Sequence, residues 1–244
     1  MRQAAALRRR RNARLAGLGV VLAVLVGLAL FTGSDGGDDG GDGPPDESPP
    51  EVACGGDAPP GADPQQYDGP EDVIRPGVDY GAVIRTSCGD IELDLNERQA
   101  PRNVNNFVFL AREGYYDGLT FHRVINDFVI QAGDPNGDGA EQPNGPGYTV
   151  VDELPTESRD YVYGVVAMAN TLQPDSAGSQ FFIVVQSAGP AGLDPTFSIL
   201  GAVEESSFET LDAIATVPTK GGTGPDAEEP VSNVYIESIE ITEA

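Results

Sequence analysis

Two neighbouring segments place an arginine and a glutamine among aromatic and aliphatic residues. Arg123 lies in residues 121–125 and Gln131 lies in residues 128–132, with apolar residues at alternating positions in both segments. This alternation predicts a pair of strands that share one functional face. A guanidinium stays charged and presents several N–H groups in a rigid fork, so Arg123 could act as a fixed hydrogen-bond donor that Gln131 orients.

A later stretch repeats this combination of amides and apolar side chains. Ala169 and Asn170 precede a Gly-Ser-Gln-Phe-Phe-Ile run that contains Gln180 and Phe182. Each aromatic residue taken singly would be assigned to the core. Only the set, together with Arg123 and its neighbours, argues for a site.

From about residue 81 to residue 242 the chain resembles the cyclophilin family of peptidyl-prolyl cis-trans isomerases. The blocks Phe-His-Arg-Val-Ile, Gln-x-Gly-Asp and Gly-Ser-Gln-Phe-Phe-Ile follow one another in the family's order. The resemblance implies a mainly β fold, a closed eight-stranded antiparallel barrel capped by two helices, with the site in a groove on the outer face. It also implies rotation about X-Pro bonds with no cofactor and no metal.

The resemblance further implies which residues carry that activity. Rotation about an X-Pro bond costs ~18–20 kcal/mol because amide resonance is lost, so the site needs an aimed donor and a dry pocket for the proline ring. The expected catalytic residues are Arg123, Gln131 and Phe128. The expected substrate-binding residues are Val129, Ala169, Asn170, Gln180, Phe182, Leu193 and Phe197.

Three departures from the commoner family pattern lie around this groove. The loop between Asn170 and Gln180 is one residue longer than in many relatives, Gly192 replaces the usual tryptophan, and Phe197 stands where histidine is frequent. That tryptophan matters in the family for binding the inhibitor cyclosporin. We therefore expect changed inhibitor affinity and substrate preference more than changed turnover.

Hydrophobic patterning predicts the same architecture from local signals. After Pro101, apolar residues at helical spacing predict a helix that stops at Gly114. A closed antiparallel barrel would also remove the exposed strand edges that invite aggregation. Strands are predicted at residues 82–86, 91–95, 120–125, 128–132, 162–169, 181–185, 197–203 and 234–241, and a second helix at residues 208–217.

The N-terminal region predicts a membrane segment. Residues 1–14 contain six arginines, whereas residues 15–32 carry no charge and as a helix would reach roughly 27 Å, near the lower limit for crossing a bilayer. We interpret 1–14 as a cytoplasmic basic head and 15–32 as a transmembrane signal-anchor, with a cleaved signal peptide as the alternative. This predicts a single-pass protein of the cell membrane whose domain lies outside the cytoplasm.

The remaining chain divides into an acidic linker and one domain. Residues 33–72 are rich in Gly, Pro and Asp and predict a disordered linker, and residues 73–244 predict the isomerase domain. Without the arginines of the head, 8 basic residues face 39 acidic ones, a formal charge of −31. This charge argues against a nucleic-acid partner, and it fits either the solubility of an exported protein or a salty environment. We expect a monomer.

Two cysteines and two rival motifs leave alternatives open. Cys54 and Cys88 would lie where oxidation is permitted, but the sequence gives no Cα separation, so their disulfide is a hypothesis. Ser179 and His122 could suggest a Ser-His-Asp hydrolase, yet His122 should face away from Arg123 and no Gly-x-Ser-x-Gly motif is present. Residues 134–139 match the start of a calcium loop, but Gly145 stands where its final Glu belongs.

Together these features predict an isomerase that assists the folding of exported proteins by accelerating rotation about their X-Pro bonds. Its partners would be proline-containing segments of those proteins, and the membrane through the N-terminal helix. The alternative is a proline-segment binding module or chaperone of the cell envelope whose isomerase activity is incidental. The presence of both Arg123 and Gln131 favours the enzyme, because a binding module would need only the pocket.

Overall fold

The computed structural model describes residues 51–61, 65–139, 145–157 and 160–244. Within these ranges the chain forms a mainly β domain with eight strands and two α-helices. The strands are β1 Tyr80–Thr86, β2 Gly89–Leu95, β3 Arg123–Ile125, β4 Val129–Ala132, β5 Val165–Met168, β6 Phe181–Val184, β7 Ile199–Val203 and β8 Ile236–Glu243, and the helices are α1 Pro101–Arg112 and α2 Phe208–Ala215.

All eight described strands belong to one antiparallel sheet, in the order β3-β4-β6-β5-β7-β2-β1-β8. The sheet is a half-barrel with β3 and β8 at its edges, so the prediction of a closed barrel is wrong. The reason is that β3 begins only at Arg123 and is three residues long, so it does not pair with β8. The contacts toward β8 come instead from the residues before β3, where the Phe121 N–H donates to the Val234 carbonyl at 2.9 Å and Thr120 forms a single bridge with Tyr235.

Helix α1 forms where the apolar spacing predicts it. Pro101 occupies the first turn, where a missing N–H costs nothing, and the helix ends before Gly114, whose φ of +69° continues the chain in a left-handed conformation. Val104, Phe107 and Val108 are fully buried against the sheet. Together with the apolar face of α2 they cover the concave side of the half-barrel.

Along β4, β5 and β6 the sheet is largely apolar on both faces. Ile130 and Phe181 belong to the inner core, the large cluster between the sheet and the two helices. The next residues along their strands, Gln131 and Phe182, face the opposite way because side chains alternate along a strand. That side carries a second cluster, called here the outer-face cluster, formed by Val129, Tyr161, Val165, Ala167, Ala169, Phe182, Val184, Ala191, Leu193 and Phe197.

A disulfide between Cys54 and Cys88 attaches the segment that precedes the domain. Their Cα atoms lie 5.0 Å apart, and Cys88 occupies the turn between β1 and β2. Beside the disulfide, the Ala53 N–H donates to the Asn233 carbonyl at 2.9 Å and the Asn233 N–H donates to the Glu51 carbonyl at 2.8 Å. A covalent bond and paired backbone groups thus hold a segment whose composition alone predicts disorder.

Residues 65–72 also pack on the domain. The Tyr67 ring meets the Phe109 ring edge-on with centroids 5.1 Å apart, and Asn105 Nδ2 donates to the Glu71 carbonyl at 2.8 Å. The predicted disordered linker, residues 33–72, is therefore held against the domain at residues 65–72 and 51–56. Of the rest, residues 33–50 and 62–64 lie outside the described residues.

The predicted head at residues 1–14 and the predicted membrane anchor at residues 15–32 also lie outside the described residues. Among the helices of the described ranges, none combines the length and the apolar character needed to cross a bilayer.

Candidate active site

The sheet register brings the predicted donor and its partner face to face. Arg123 in β3 lies opposite Gln131 in β4, and Gln131 lies opposite Phe182 in β6. Directly opposed residues in an antiparallel sheet project from the same face. Their side chains therefore form one row on the outer face, which continues to Ala167 in β5.

A short chain of hydrogen bonds joins the polar members of this row. Arg123 Nη1 donates to Gln131 Oε1 at 3.3 Å, and Gln131 Nε2 donates to Gln180 Oε1 at 2.7 Å. The Arg123 side chain keeps 22% of its area exposed, so it is partly covered but can still reach a ligand. The structure thus places Gln131 where it can orient the guanidinium.

Glu228 is a further partner of Arg123 that the sequence did not indicate. The Arg123 Nε–H donates to the Glu228 carboxylate, and the two side chains form an ion pair. Glu228 ends a short 3-10 helix, Pro225–Glu228, on the connection between α2 and β8. Glu228 could not be recognised from the sequence, because it is one of 39 acidic residues and belongs to no motif.

The outer-face cluster forms an apolar floor beside Arg123. The structure brings the predicted pocket residues Val129, Phe182, Leu193 and Phe197 together there with Ala169, and Phe128 lies half-buried against them. The rings of Phe182 and Phe197 meet edge-on with centroids 5.2 Å apart. This floor is apolar and largely buried, which suits the binding of a proline ring.

Tyr161 supports the floor and was missed by the sequence analysis. Its hydroxyl donates to the Phe197 carbonyl at 2.7 Å and accepts the Phe197 N–H at 3.0 Å. Burial raises the pKa of Tyr161 to about 12, so the hydroxyl keeps the proton that it donates. A tyrosine outside the recognised blocks offers no sequence signal for such a role.

The two predicted amides differ in what they contact. Asn170 Nδ2 donates to the Thr196 carbonyl at 2.7 Å, and Asn170 Oδ1 accepts the Leu172 N–H at 3.0 Å, so this side chain ties two loops at the groove together. Gln180 is 2% exposed, and its Nε2 has no hydrogen-bond partner among the described residues. The contacts expected between these residues and a peptide stay predictions.

The hydroxyl that a hydrolase would need is used in other ways. Ser179 is fully buried, its Oγ donates to the Gly133 carbonyl at 2.8 Å, and it lies 3.2 Å from the Tyr115 hydroxyl. His122 is buried beside the loop that contains Asp134 and Gly137. Burial, with a further contribution from the Arg123 charge, lowers the pKa of His122 to about 4, so it is neutral at pH 7. The two side chains therefore do not form a Ser–His pair.

The loop considered for calcium turns its first carboxylate inward. Asp134 is 1% exposed and accepts the backbone N–H groups of Asn136 and Gly139. Burial raises the pKa of Asp134 to about 6, and the neighbouring Asp138 adds to this effect. Within the described ranges no three His, Cys, Asp or Glu residues are grouped to hold a metal ion.

A hollow of about 950 Å³ lies elsewhere, between residues 70–77, the first turn of α1 and residues 149–151. Its lining includes Arg75 and Arg98, which pair with Glu243 and Asp79 respectively. It contains none of the predicted site residues. The outer-face row and cluster are therefore the better candidate for the active site.

Comparison with known proteins gives one consistent result. Residues 82–241 match the family described as Cyclophilin type peptidyl-prolyl cis-trans isomerase/CLD. Peptidyl-prolyl cis-trans isomerase B of Streptomyces anulatus is 38% identical over 174 residues, which cover 65% of this chain and 94% of that protein. An Arabidopsis thaliana relative, Peptidyl-prolyl cis-trans isomerase CYP57, is 37% identical over 153 residues, but the match spans only 30% of its length. A Streptococcus pyogenes protein named "Putative bifunctional phosphatase/peptidyl-prolyl cis-trans isomerase" is 36% identical over 185 residues and is likewise matched over only 38% of its length.

Solved structures give the same answer. A crystal structure of a cyclophilin type peptidyl-prolyl cis-trans isomerase from Cryptosporidium parvum has a TM-score of 0.59 and 31% identity, covering 67% of this chain and 98% of that one. A second structure of that protein, in the presence of the dipeptide Ala-Pro, has a TM-score of 0.58 and 32% identity, covering 66% and 98%.

Proposed function

Because the chain belongs to the cyclophilin-type peptidyl-prolyl cis-trans isomerase family, we propose that its outer-face groove isomerises X-Pro bonds in exported proteins outside the cytoplasm. The chain is an isomerase of this family and acts on proline-containing peptides. We further propose which residues act, which proteins are the substrates and in which compartment the enzyme acts on them.

One observation carries the assignment of residues: Arg123 and Gln131 stand opposite each other, joined by a hydrogen bond of 3.3 Å, at the margin of an apolar floor. A proline ring on this floor would bring its amide next to the guanidinium. The N–H groups of Arg123 that Gln131 and Glu228 do not use could donate to the proline nitrogen or to the displaced carbonyl as the amide twists. No covalent bond changes, so a preorganised donor and a fixed ring are sufficient for the reaction.

The substrate side of the proposal is supported by a similar protein. The Cryptosporidium enzyme was crystallised in the presence of Ala-Pro, a dipeptide that ends in proline. In the present chain, Phe128, Phe182 and Leu193 would contact such a ring, and Asn170 with Gln180 would hold the residues that precede it. Gln180 Nε2 is a buried donor without a described partner, which suits a peptide carbonyl.

Three sequence features and one structural feature support the location. The arginine-rich residues 1–14, the uncharged residues 15–32 and the acidic chain that follows favour a membrane-anchored protein with its domain outside the cytoplasm. The Cys54–Cys88 disulfide fits an oxidising compartment. Protease added to intact cells that lack an outer barrier should remove the domain. A protected domain, or a freely soluble one with a new N-terminus near Gly33, would contradict the anchored arrangement.

The assignment of residues is tested with Arg123→Ala and one proline tetrapeptide. We expect kcat/KM to fall by on the order of 10²–10³, the size typical for losing one preorganised donor. Peptide affinity should change far less, because the floor still holds the ring. NMR exchange spectroscopy measures both quantities on the same sample. Near-normal exchange in the variant would show that Arg123 is not the donor and would favour the binding module with incidental activity.

The clients can be identified with the same variant. An Arg123→Ala ectodomain that binds but turns over slowly should capture proline-containing exported proteins from the cell envelope. The matched control is a variant with a damaged floor, such as Phe182→Ala, which should capture less. Equal capture by both variants would mean that the groove is not the site where clients bind.

A further inference from the structure

The inference concerns Glu228, the acidic residue that reaches Arg123 from outside the sheet. Its carboxylate accepts the Nε–H of Arg123, while Gln131 accepts from Nη1 on the other arm of the guanidinium. Two acceptors therefore hold one planar group at two points. Such a group cannot turn about its last torsion without losing a hydrogen bond, and the N–H groups of Nη2 keep one direction.

The connection that carries Glu228 is itself held by its own hydrogen bonds. The Lys220 N–H donates to the Glu229 carbonyl at 2.9 Å, and the Val231 N–H donates to the Pro218 carbonyl at 2.8 Å. Lys220 Nζ also pairs with the Glu229 carboxylate at 2.7 Å, but both side chains are exposed, so the backbone hydrogen bonds hold the connection and this ion pair adds little. Hydrogen bonds thus join residues 218–220 to residues 229–231, which fixes the position of the neighbouring Glu228.

Burial indicates that the pair has a role in the groove more than in stability. The Glu228 side chain is 44% exposed and the Arg123 side chain 22% exposed, so water screens their attraction. Half-exposed ion pairs contribute little to folding. The orientation of a donor affects catalysis much more, because the catalytic rate falls steeply when a reacting group is displaced.

We propose that Glu228 is a positioning residue, which fixes the guanidinium of Arg123 so that its remaining donors point at the twisting X-Pro amide. The inference rests on the role proposed for Arg123 and deepens it. Glu228 does not touch the peptide. It acts through Arg123, together with Gln131, and a loop beyond the sheet thereby becomes part of the active site.

The chain offers a matched control for this inference. Glu229 is adjacent to Glu228 and has the same charge, but its carboxylate pairs with Lys220. Glu228→Ala should lower kcat/KM for a proline tetrapeptide by about tenfold or more, with peptide affinity nearly unchanged. Glu228→Gln keeps an oxygen acceptor for the Nε–H and should recover part of the loss. Glu229→Gln should stay within about twofold of the unaltered protein.

A spectroscopic measurement separates positioning from general damage to the fold. The Nε–Hε signal of Arg123, assigned by its disappearance in Arg123→Ala, should shift and exchange faster with water in Glu228→Ala but not in Glu229→Gln. Unfolding midpoints of the variants should agree. In the double variant Arg123→Ala/Glu228→Ala, the second change should have no further effect on kcat/KM, because Glu228 acts only through Arg123.

The outcomes distinguish this inference from the role proposed for Arg123. If Arg123→Ala keeps its activity, the proposed donor is wrong and the role of Glu228 falls with it. If Arg123→Ala is slow while Glu228→Ala exchanges peptide at the normal rate with an unchanged Nε–Hε signal, Arg123 remains the donor and only the inference about Glu228 is overturned. Equal losses in Glu228→Ala and Glu229→Gln would also overturn it, since the loop alone would then explain them.

Discussion

The two faces of the sheet are built from adjacent residues of the same strands, yet they are closed by different means. On the inner face, Phe181 meets the rings of Phe107, Tyr116 and Phe121 beneath the helices. On the outer face, Phe182 meets the ring of Phe197, and connecting segments cover it instead of helices. The inner face belongs to a core that packs between the sheet and the helices. The outer face carries a single apolar layer with a row of polar residues at its margin.

This difference shows how one short strand can serve both stability and binding. On the inner face, Phe181, Phe107 and Phe121 are fully buried, so their contacts contribute to folding. The outer layer keeps small exposed areas at residues such as Leu193 and Ala169, at 8% and 6%. Apolar area at the surface of a soluble protein, next to a few polar groups, is typical of a ligand site.

The sharpest test compares Phe181→Ala with Phe182→Ala. Phe181→Ala opens a cavity among three aromatic rings and should lower the free energy of unfolding by about 3–5 kcal/mol. Phe182→Ala should lower it by a smaller amount, about 1–3 kcal/mol, because the loops above it can relax. Peptide affinity should respond in the opposite order and fall markedly only in Phe182→Ala. Denaturant unfolding and peptide titration of the folded variants measure both effects.

Equal losses of affinity in these two variants would break the comparison, because the outer layer would then not be the specific binding floor. Phe181→Leu serves as the control if Phe181→Ala does not fold. It retains most of the buried volume, and it should leave peptide affinity unchanged.

Removing the Cys54–Cys88 disulfide tests whether the free energy of unfolding can change while the activity of the groove stays the same. The bond joins residues with a sequence separation of 34 and lies at the turn between β1 and β2. The double change Cys54→Ser/Cys88→Ser should lower the free energy of unfolding by roughly 2–4 kcal/mol, because the unfolded chain gains freedom. At a temperature where the variant is folded, kcat/KM should match that of the oxidised protein. A parallel loss of turnover would mean that the N-terminal segment also shapes the site.

Substitutions at Gly192 test whether cyclosporin binding at the outer face can be strengthened. It has a φ of +70° and open space around the position of an added Cβ, so a side chain fits there but the backbone is strained by about 1–2 kcal/mol. Gly192→Trp should therefore lower stability slightly and strengthen cyclosporin inhibition by roughly tenfold through a new aromatic contact. Gly192→Ala carries the same strain without the ring. If both variants bind cyclosporin alike, the missing indole does not limit cyclosporin affinity.

Several elements could be predicted from the sequence because one local signal dominated them. In β2 only every second residue is buried, and in α1 the apolar residues follow helical spacing. The register of β3 and β4 follows from their short connection, which made the Arg123–Gln131 pair foreseeable. In β5 and β6 every residue is buried. A pattern without alternation cannot indicate which face is the core, so only the family resemblance assigned Phe182 to the groove.

The remaining features depend on long-range contacts that leave no local pattern. Glu228 reaches Arg123 across 105 positions of the chain, and Tyr161 supports Phe197 across 36. The segment at residues 51–56 has the composition of a disordered linker, and one disulfide with two backbone hydrogen bonds outweighs that tendency. The open edge between β3 and β8 follows from the short length of β3. Patterning predicted a strand at this place but could not determine where it begins.

The smallest expected effect links two neighbouring residues, the buried His122 and the outer-face Arg123. The pKa of His122 is about 4, lowered from 6.5 first by burial and then by the Arg123 charge. The unfolded chain therefore binds the proton more readily, and stability is lost as the pH falls from 6.5 through about 4. Asp134, whose pKa is raised to about 6, opposes this loss, because the folded protein binds its proton first.

Arg123→Gln should raise the pKa of His122 slightly and make the acid loss of stability shallower by less than about 1 kcal/mol, since burial remains. Asp134, and Asp138 beside the histidine, are the same in both proteins, but Arg123→Gln also removes the ion pair with Glu228. The effect of the arginine charge on His122 is therefore the part of the difference between the two pH profiles that depends on the histidine. Denaturant unfolding between about pH 7 and pH 5 measures it. Introducing His122→Gln into both proteins should remove that part, and any difference that remains reports the lost pair with Glu228. If the whole difference persists without the histidine, the arginine charge acts on another group, and the two residues are not coupled.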